Sequence, residues 1–194
     1  MFIQTEDTPN PQSMKFLPGQ AVLGHGALGV DFPTIESAAA SPLAQMLFET
    51  DGVMGVYLGA DFITVTKAAA VEWVHIKPAI LGSIADFITA GLPVMTEGAA
   101  PSASPATPLE DYEGEDREVV EQIIELIETR VRPAVAADGG DIVFKHFEPR
   151  TGVVFLSMHG ACAGCPSSTQ TLKAGIENML KHYVPEVVRV EAAA

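Results

Sequence analysis

Cysteine is almost missing from this chain: Cys162 and Cys165 are the only two among 194 residues. A tetrahedral zinc site or a cubane iron-sulfur cluster usually takes four protein ligands, so one copy of the chain is two thiolates short of either. Basic residues are scarce as well, 11 Lys and Arg against 25 Asp and Glu, for a formal charge of -14. Binding a phosphate backbone depends on Lys and Arg displacing counterions, and this balance argues against a nucleic-acid partner. Long apolar runs are absent too. None approaches the roughly 18 to 20 residues that span a bilayer, which argues against a membrane-spanning protein. The opening Met1-Phe2-Ile3-Gln4 has neither a basic n-region nor an apolar h-region, so a reducing cytoplasm is expected. In such a compartment an adjacent thiol pair reads as metal-binding or redox-active rather than as a structural staple.

What is present suffices for packed cores: 47% hydrophobic residues and a mean hydropathy of +0.24. Residues 96–116 carry Pro, Ala, Ser and six acids with no Lys or Arg, the composition of a disordered, self-repelling linker. It is read as a solvated spacer rather than an acidic docking site, and it divides the chain into domains at 1–95 and 117–194. Both are expected to be small α+β units. In the first, Phe2 to Thr5 and Met14 to Leu17 read as strands around Thr8-Pro9-Asn10-Pro11, and Ser41-Pro42 opens a helix. Val53 to Leu58 and Phe62 to Thr66 read as a hairpin, and Lys77 to Thr89 as a closing helix stopped by Gly91 and Pro93. His25, His75 and Trp73 stand apart from any matching acid or nucleophile, and ordinary packing is the preferred reading of Trp73.

In the second domain, Val120, Ile123, Ile124, Ile127 and Val131 recur at helical spacing, which predicts a helix over 117–132 ending near Pro133. Asp138-Gly139-Gly140-Asp141 is a turn that needs glycine's freedom of φ. It leads into a hairpin of Ile142 to Phe147 and Val153 to Met158, turned at Pro149-Arg150-Thr151-Gly152. A helix from Pro166 and a last strand, Val187 to Val190, complete the order αββαβ.

Cys162-Ala163-Gly164-Cys165 falls between the second hairpin strand and that helix. Sulfurs just before a helix N-terminus lie in the positive end of its dipole, which favours thiolates. Gly160, Ala161, Ala163 and Gly164 keep bulk away and suggest a small, partly exposed loop. Three chemistries fit a thiol pair. A thioredoxin-like dithiol oxidoreductase needs a larger βαβ frame than these roughly 80 residues supply. A structural zinc site would draw on His159, which reads better as an exposed loop residue, and would still lack a fourth ligand. An iron-sulfur cluster shared between two subunits, each giving Cys162 and Cys165, is the leading reading.

These residues resemble the Nfu family of iron-sulfur scaffold and carrier proteins, related to the C-terminal part of NifU. In the second domain the likeness runs through Arg132-Pro133-Ala134-Val135-Ala136-Ala137-Asp138-Gly139-Gly140-Asp141 and Gly160-Ala161-Cys162-Ala163-Gly164-Cys165-Pro166-Ser167-Ser168. In the first it runs through Met1 to Thr5, Thr8-Pro9-Asn10-Pro11, Lys15-Phe16-Leu17-Pro18-Gly19, Ser41-Pro42-Leu43-Ala44 and Asp61 to Lys67. The resemblance implies a homodimer bridging a 4Fe-4S cluster through Cys162 and Cys165, which passes the cluster to apo-proteins; whether a 2Fe-2S form also occurs is left open by the sequence. It implies donor and client proteins as partners and a first domain that recognises them without holding a cofactor. The lone thiol pair, with no catalytic constellation beside it, predicts a binding and delivery protein rather than an enzyme. The resemblance also implies a bacterial cytoplasmic protein or, alternatively, a processed protein of the mitochondrial matrix.

Overall fold

Alternation of apolar and polar residues builds the first unit. The computed structural model describes residues 2–24, 29–96, 109, 112–163 and 166–193, the side chains of 166–169 excepted. The chain divides into two compact units, Met1–Ala103 and Ser104–Ala194. In the first, strands β1 (Gln4–Asp7), β2 (Ser13–Leu17), β3 (Val30–Phe32), β4 (Val53–Leu58) and β5 (Ile63–Lys67) form an antiparallel sheet in the order β1-β2-β5-β4-β3. Met14, Phe16, Val56, Leu58, Ile63 and Val65 are buried in one core with Leu43 and Leu47 of α1 (Pro42–Phe48) and Ile76, Ile80, Ile84 and Phe87 of α2 (Trp73–Ala90). The Ser41 hydroxyl accepts from the Ala44 amide at 3.1 Å, the cap expected before Pro42. Helix α2 starts four residues before the expected Lys77 and contains Pro78, and β3 was not foreseen. Trp73 packs against the core with its Nε1–H donated to the Pro11 carbonyl at 3.1 Å.

The second unit is built on α3 (Glu115–Leu126), a π-helical turn (Ile127–Val131) and α4 (Arg132–Ala137), continuous in sequence. The helix expected to stop near Pro133 therefore runs on to Ala137. Pro133 sits in the first turn of α4, and the preceding π turn shifts the hydrogen-bond ladder where proline offers no N–H. Strands β6 (Gly140–Glu148) and β7 (Val153–Gly160) pair antiparallel, and β8 (Arg189–Ala192) joins β7 in parallel after the crossover helix α5 (Pro166–Tyr183). Val120, Ile123, Ile127, Val131 and Val135 from the helical run meet Ile142, Phe144, Val154, Leu156, Ile176, Leu180 and Val190 in a second core. Both units are α+β.

Much of the segment read as a linker, 96–116, lies outside the described residues. Its C-terminal end is structured: Tyr112 is buried in the second core and α3 already begins at Glu115. The unit boundary between Ala103 and Ser104 falls within it.

Candidate metal centre

Register brings the glycine-rich turn and the cysteine loop together. In the β6–β7 ladder Gly140 faces Gly160 and Asp141 faces His159, so the end of α4 and the loop after β7 emerge side by side. Gly139 and Gly160 adopt φ of 78° and 63°, left-handed conformations that let both strands leave the sheet at once. The Gly139 carbonyl accepts from the Ala161 amide at 3.1 Å, and the Gly160 carbonyl from the Ala163 amide at 3.0 Å. The first half of the loop is thereby tied to the turn.

Cys162 is buried, 7% exposed, and belongs to the second core, which corrects the expectation of a partly exposed loop at that thiol. Gly140 is the physical reason. A Cβ placed there would lie 2.6 Å from Cys162 Sγ and 2.9 Å from the His159 carbonyl oxygen, so the missing side chain is the space the thiol occupies. Cys165 lies outside the described residues, as does His25. Helix α5 begins at Pro166, one position after Cys165 in sequence, so the positive end of an 18-residue helix follows the pair directly.

His159 is the penultimate residue of β7 and half-buried, not an exposed loop residue. Among the described residues no cluster of three or more His, Cys, Asp and Glu is placed to hold a metal ion.

An ion pair that sequence reasoning missed braces the turn. Arg132 donates from Nε to Asp141 Oδ1 at 2.8 Å and from Nη2 to Oδ2 at 2.9 Å, a bidentate pair. Its Nη1 donates to Glu128 Oε2 at 2.7 Å, and Asp141 Oδ1 accepts the Ile142 amide at 2.8 Å. Asp141 hydrogen bonding raises the Arg132 pKa above its ordinary value against the opposing effect of burial. The pair spans Gly139 and Gly140 from α4 to β6 and fixes the turn that Cys162 packs on. Arg132 and Asp141 open and close the Arg-Pro to Gly-Asp motif, and that spacing was the signal available in sequence.

The comparisons with known proteins follow this division. A family model described as scaffold protein Nfu/NifU N terminal matches residues 3–91, and one described as NifU-like domain matches residues 123–191. NifU-like protein 4, mitochondrial, of Arabidopsis thaliana is 50% identical over 191 residues, covering 98% of this chain and 65% of its own. NFU1 iron-sulfur cluster scaffold homolog, mitochondrial, of Drosophila sechellia is 52% identical over 98% of this chain and 64% of its own. The chain thus spans just under two thirds of the length of these curated relatives. A solution structure of a NifU-like protein from Saccharomyces cerevisiae aligns at a TM-score of 0.44 and 29% identity, over 50% of this chain and 86% of its own. With both halves matched in order, the chain belongs to the Nfu family, an Nfu N-terminal domain followed by a NifU-like domain.

Proposed function

We propose that this protein is an iron-sulfur cluster scaffold and carrier, holding a 4Fe-4S cluster between two copies of the chain and delivering it to apo-proteins. The observation that carries the reading is the lone thiol pair, Cys162 and Cys165, in a loop whose first half is tied to the Gly139-Gly140 turn. Membership in the family and the scaffold names of relatives support it. Two thiolates per chain leave a four-ligand cluster incomplete, and a second copy supplies the other two across a two-fold axis.

The cluster is cargo, and its transfer needs no acid or base from the chain. A client thiolate forms one Fe–S bond as one scaffold Fe–S bond breaks. Charge is conserved, and the released Cys162 or Cys165 thiolate takes a proton from water. A scaffold that contributes two thiolates per subunit gives the cluster up in fewer exchanges per chain than a four-cysteine cage. The first domain serves client or donor recognition, and the protein works without enzymatic turnover. Its compartment is reducing, either a bacterial cytoplasm or the mitochondrial matrix, and the mitochondrial names of the relatives favour the second. No helix among the described residues is long and apolar enough to cross a membrane.

Anaerobic reconstitution of the full chain with iron and sulfide tests this, with iron, labile sulfide and zinc measured per chain alongside mass in solution. Close to four irons and four sulfides per two chains is the expected result, and Cys162→Ala is expected to abolish it while the apo protein keeps its far-UV spectrum. A metal-free monomer with a reversible Cys162–Cys165 disulfide would identify a dithiol oxidoreductase instead. Tight zinc without labile sulfide would identify a structural zinc module.

A further inference from the structure

A groove of about 360 Å³ lies between α4 and α5 in the second unit. Its floor is Val135 and Ile176, both buried, and its walls include Leu172 and Met179, half-buried, with Ala134 and Gly175 exposed at the rim. We infer that this groove seats the same face of a second copy of the chain, with α5 crossing its symmetry mate at Gly175. The inference rests on the shared-cluster reading and names the surface that closes around it.

Position is the first argument. Asp138 and Thr171 bound the groove. Asp138 precedes Gly139, whose carbonyl holds the cysteine loop through the Ala161 amide, and Thr171 lies in the second turn of the helix that follows Cys165. A body seated in the groove therefore abuts the loop.

Ligand number is the second argument. The chain holds two cysteines in all, so two further thiolates must reach the loop to complete a four-thiolate site, and a second copy carries a pair in the same setting. A two-fold axis through the shared cluster makes the contact isologous, so the surface beside the loop meets its own copy.

Gly175 supplies the third. It stands inside an 18-residue helix, where glycine costs roughly 0.5 to 1 kcal/mol relative to alanine. A Cβ at this position would meet nothing within 4 Å among the described residues. Among the described residues nothing in one copy requires the missing side chain, whereas a helix approaching closely from outside does.

The full chain carrying Gly175→Gln tests this against wild type, with Ala174→Gln as a control on an exposed neighbouring position outside the groove. The apo variant is expected to melt at or above wild type, since glutamine is the better helix former. After reconstitution with iron and sulfide, its dimer should dissociate at least tenfold more readily by sedimentation equilibrium and lose iron to a chelator at least tenfold faster. The control should match wild type. Ala134→Glu, an exposed position on the opposite wall, reports independently should Gly175→Gln fold poorly. A Gly175→Gln dimer as tight as wild type overturns the inference. So does a variant that dimerises normally yet delivers its cluster slowly to an apo-acceptor, which would give the groove to the client. A wild-type chain that binds its cluster as a monomer, or binds none, overturns the shared-cluster reading and the inference with it.

Discussion

A methyl group is the smallest addition that can be made to Gly140, and there is no room for it. In Gly140→Ala the new carbon would meet Cys162 Sγ at 2.6 Å and the His159 carbonyl oxygen at 2.9 Å. The sulfur can rotate away, but the carbonyl belongs to the paired strand and cannot move without pulling β7. Overpacking of this kind costs about 1 to 3 kcal/mol. The variant is expected to melt lower and, if Cys162 holds the cluster as proposed, to bind less iron per chain than wild type, because relief comes from displacing its thiol. Unchanged stability with a full cluster complement would mean that Cys162 does not pack on Gly140. Sequence reading explained both glycines of the turn by freedom of φ, and the structure separates them: Gly139 has the left-handed φ, while Gly140 is needed for space. Steric need from a residue some 20 positions away leaves no mark in local composition. The cysteines themselves were legible because thiol spacing is chemistry written directly in the sequence, and the buried state of Cys162 was not, because it depends on what the turn lacks.

Between elements, α5 is fastened to β8 by charge as well as by its apolar face. Glu177 accepts from Lys181 Nζ at 2.6 Å and from the Val190 amide at 3.1 Å, and Lys173 donates to Glu191 at 2.8 Å. The Lys181 hydrogen bond, followed by that of the Val190 amide, lowers the Glu177 pKa below its ordinary value. A depressed folded pKa means the folded form binds fewer protons than the unfolded chain. The contribution is therefore complete above the ordinary glutamate value and is lost as pH falls through the lower folded one. Glu177→Gln is expected to cost about 1 kcal/mol at neutral pH, a modest figure because both partners are partly exposed. The gap to wild type should close on acidification below the ordinary glutamate range, as urea titrations at stepped pH would show. A gap that stays constant down to pH 3 would sink the assignment. Elements with strong periodicity, such as α3 and the β6–β7 hairpin, were readable from sequence. Strand β3, Val30-Asp31-Phe32, is too short for its alternation to stand out, and Pro133 mimicked a helix end because a π turn cannot be seen in the pattern of apolar residues.

At the scale of the whole chain, a composition rich in proline and acid hid one aromatic anchor. Tyr112 is 6% exposed in the second core, and its hydroxyl accepts the Phe147 amide at 2.9 Å while lying 2.9 Å from the Phe147 carbonyl and 2.7 Å from His146 Nδ1. Strand β6 is an edge of its sheet, and Tyr112 caps that edge with the backbone hydrogen bonds a fourth strand would otherwise supply. A fragment cut where the composition changes, 117–194, discards this residue, whereas 104–194 keeps it. Burial of one aromatic side chain plus one net hydrogen bond is worth about 3 kcal/mol. The longer fragment is expected to be more stable than the shorter by about that amount in urea, and Tyr112→Phe within it should recover all but about 1 kcal/mol of the difference. The longer fragment should also assemble the cluster by itself, since the cysteine loop, the Gly139-Gly140 turn and the Arg132–Asp141 brace all lie within the second unit. Equal stability of the two fragments would remove Tyr112 from the fold's essential contacts. A folded 104–194 that binds no iron, beside a full chain that does, would bring the first domain into the site.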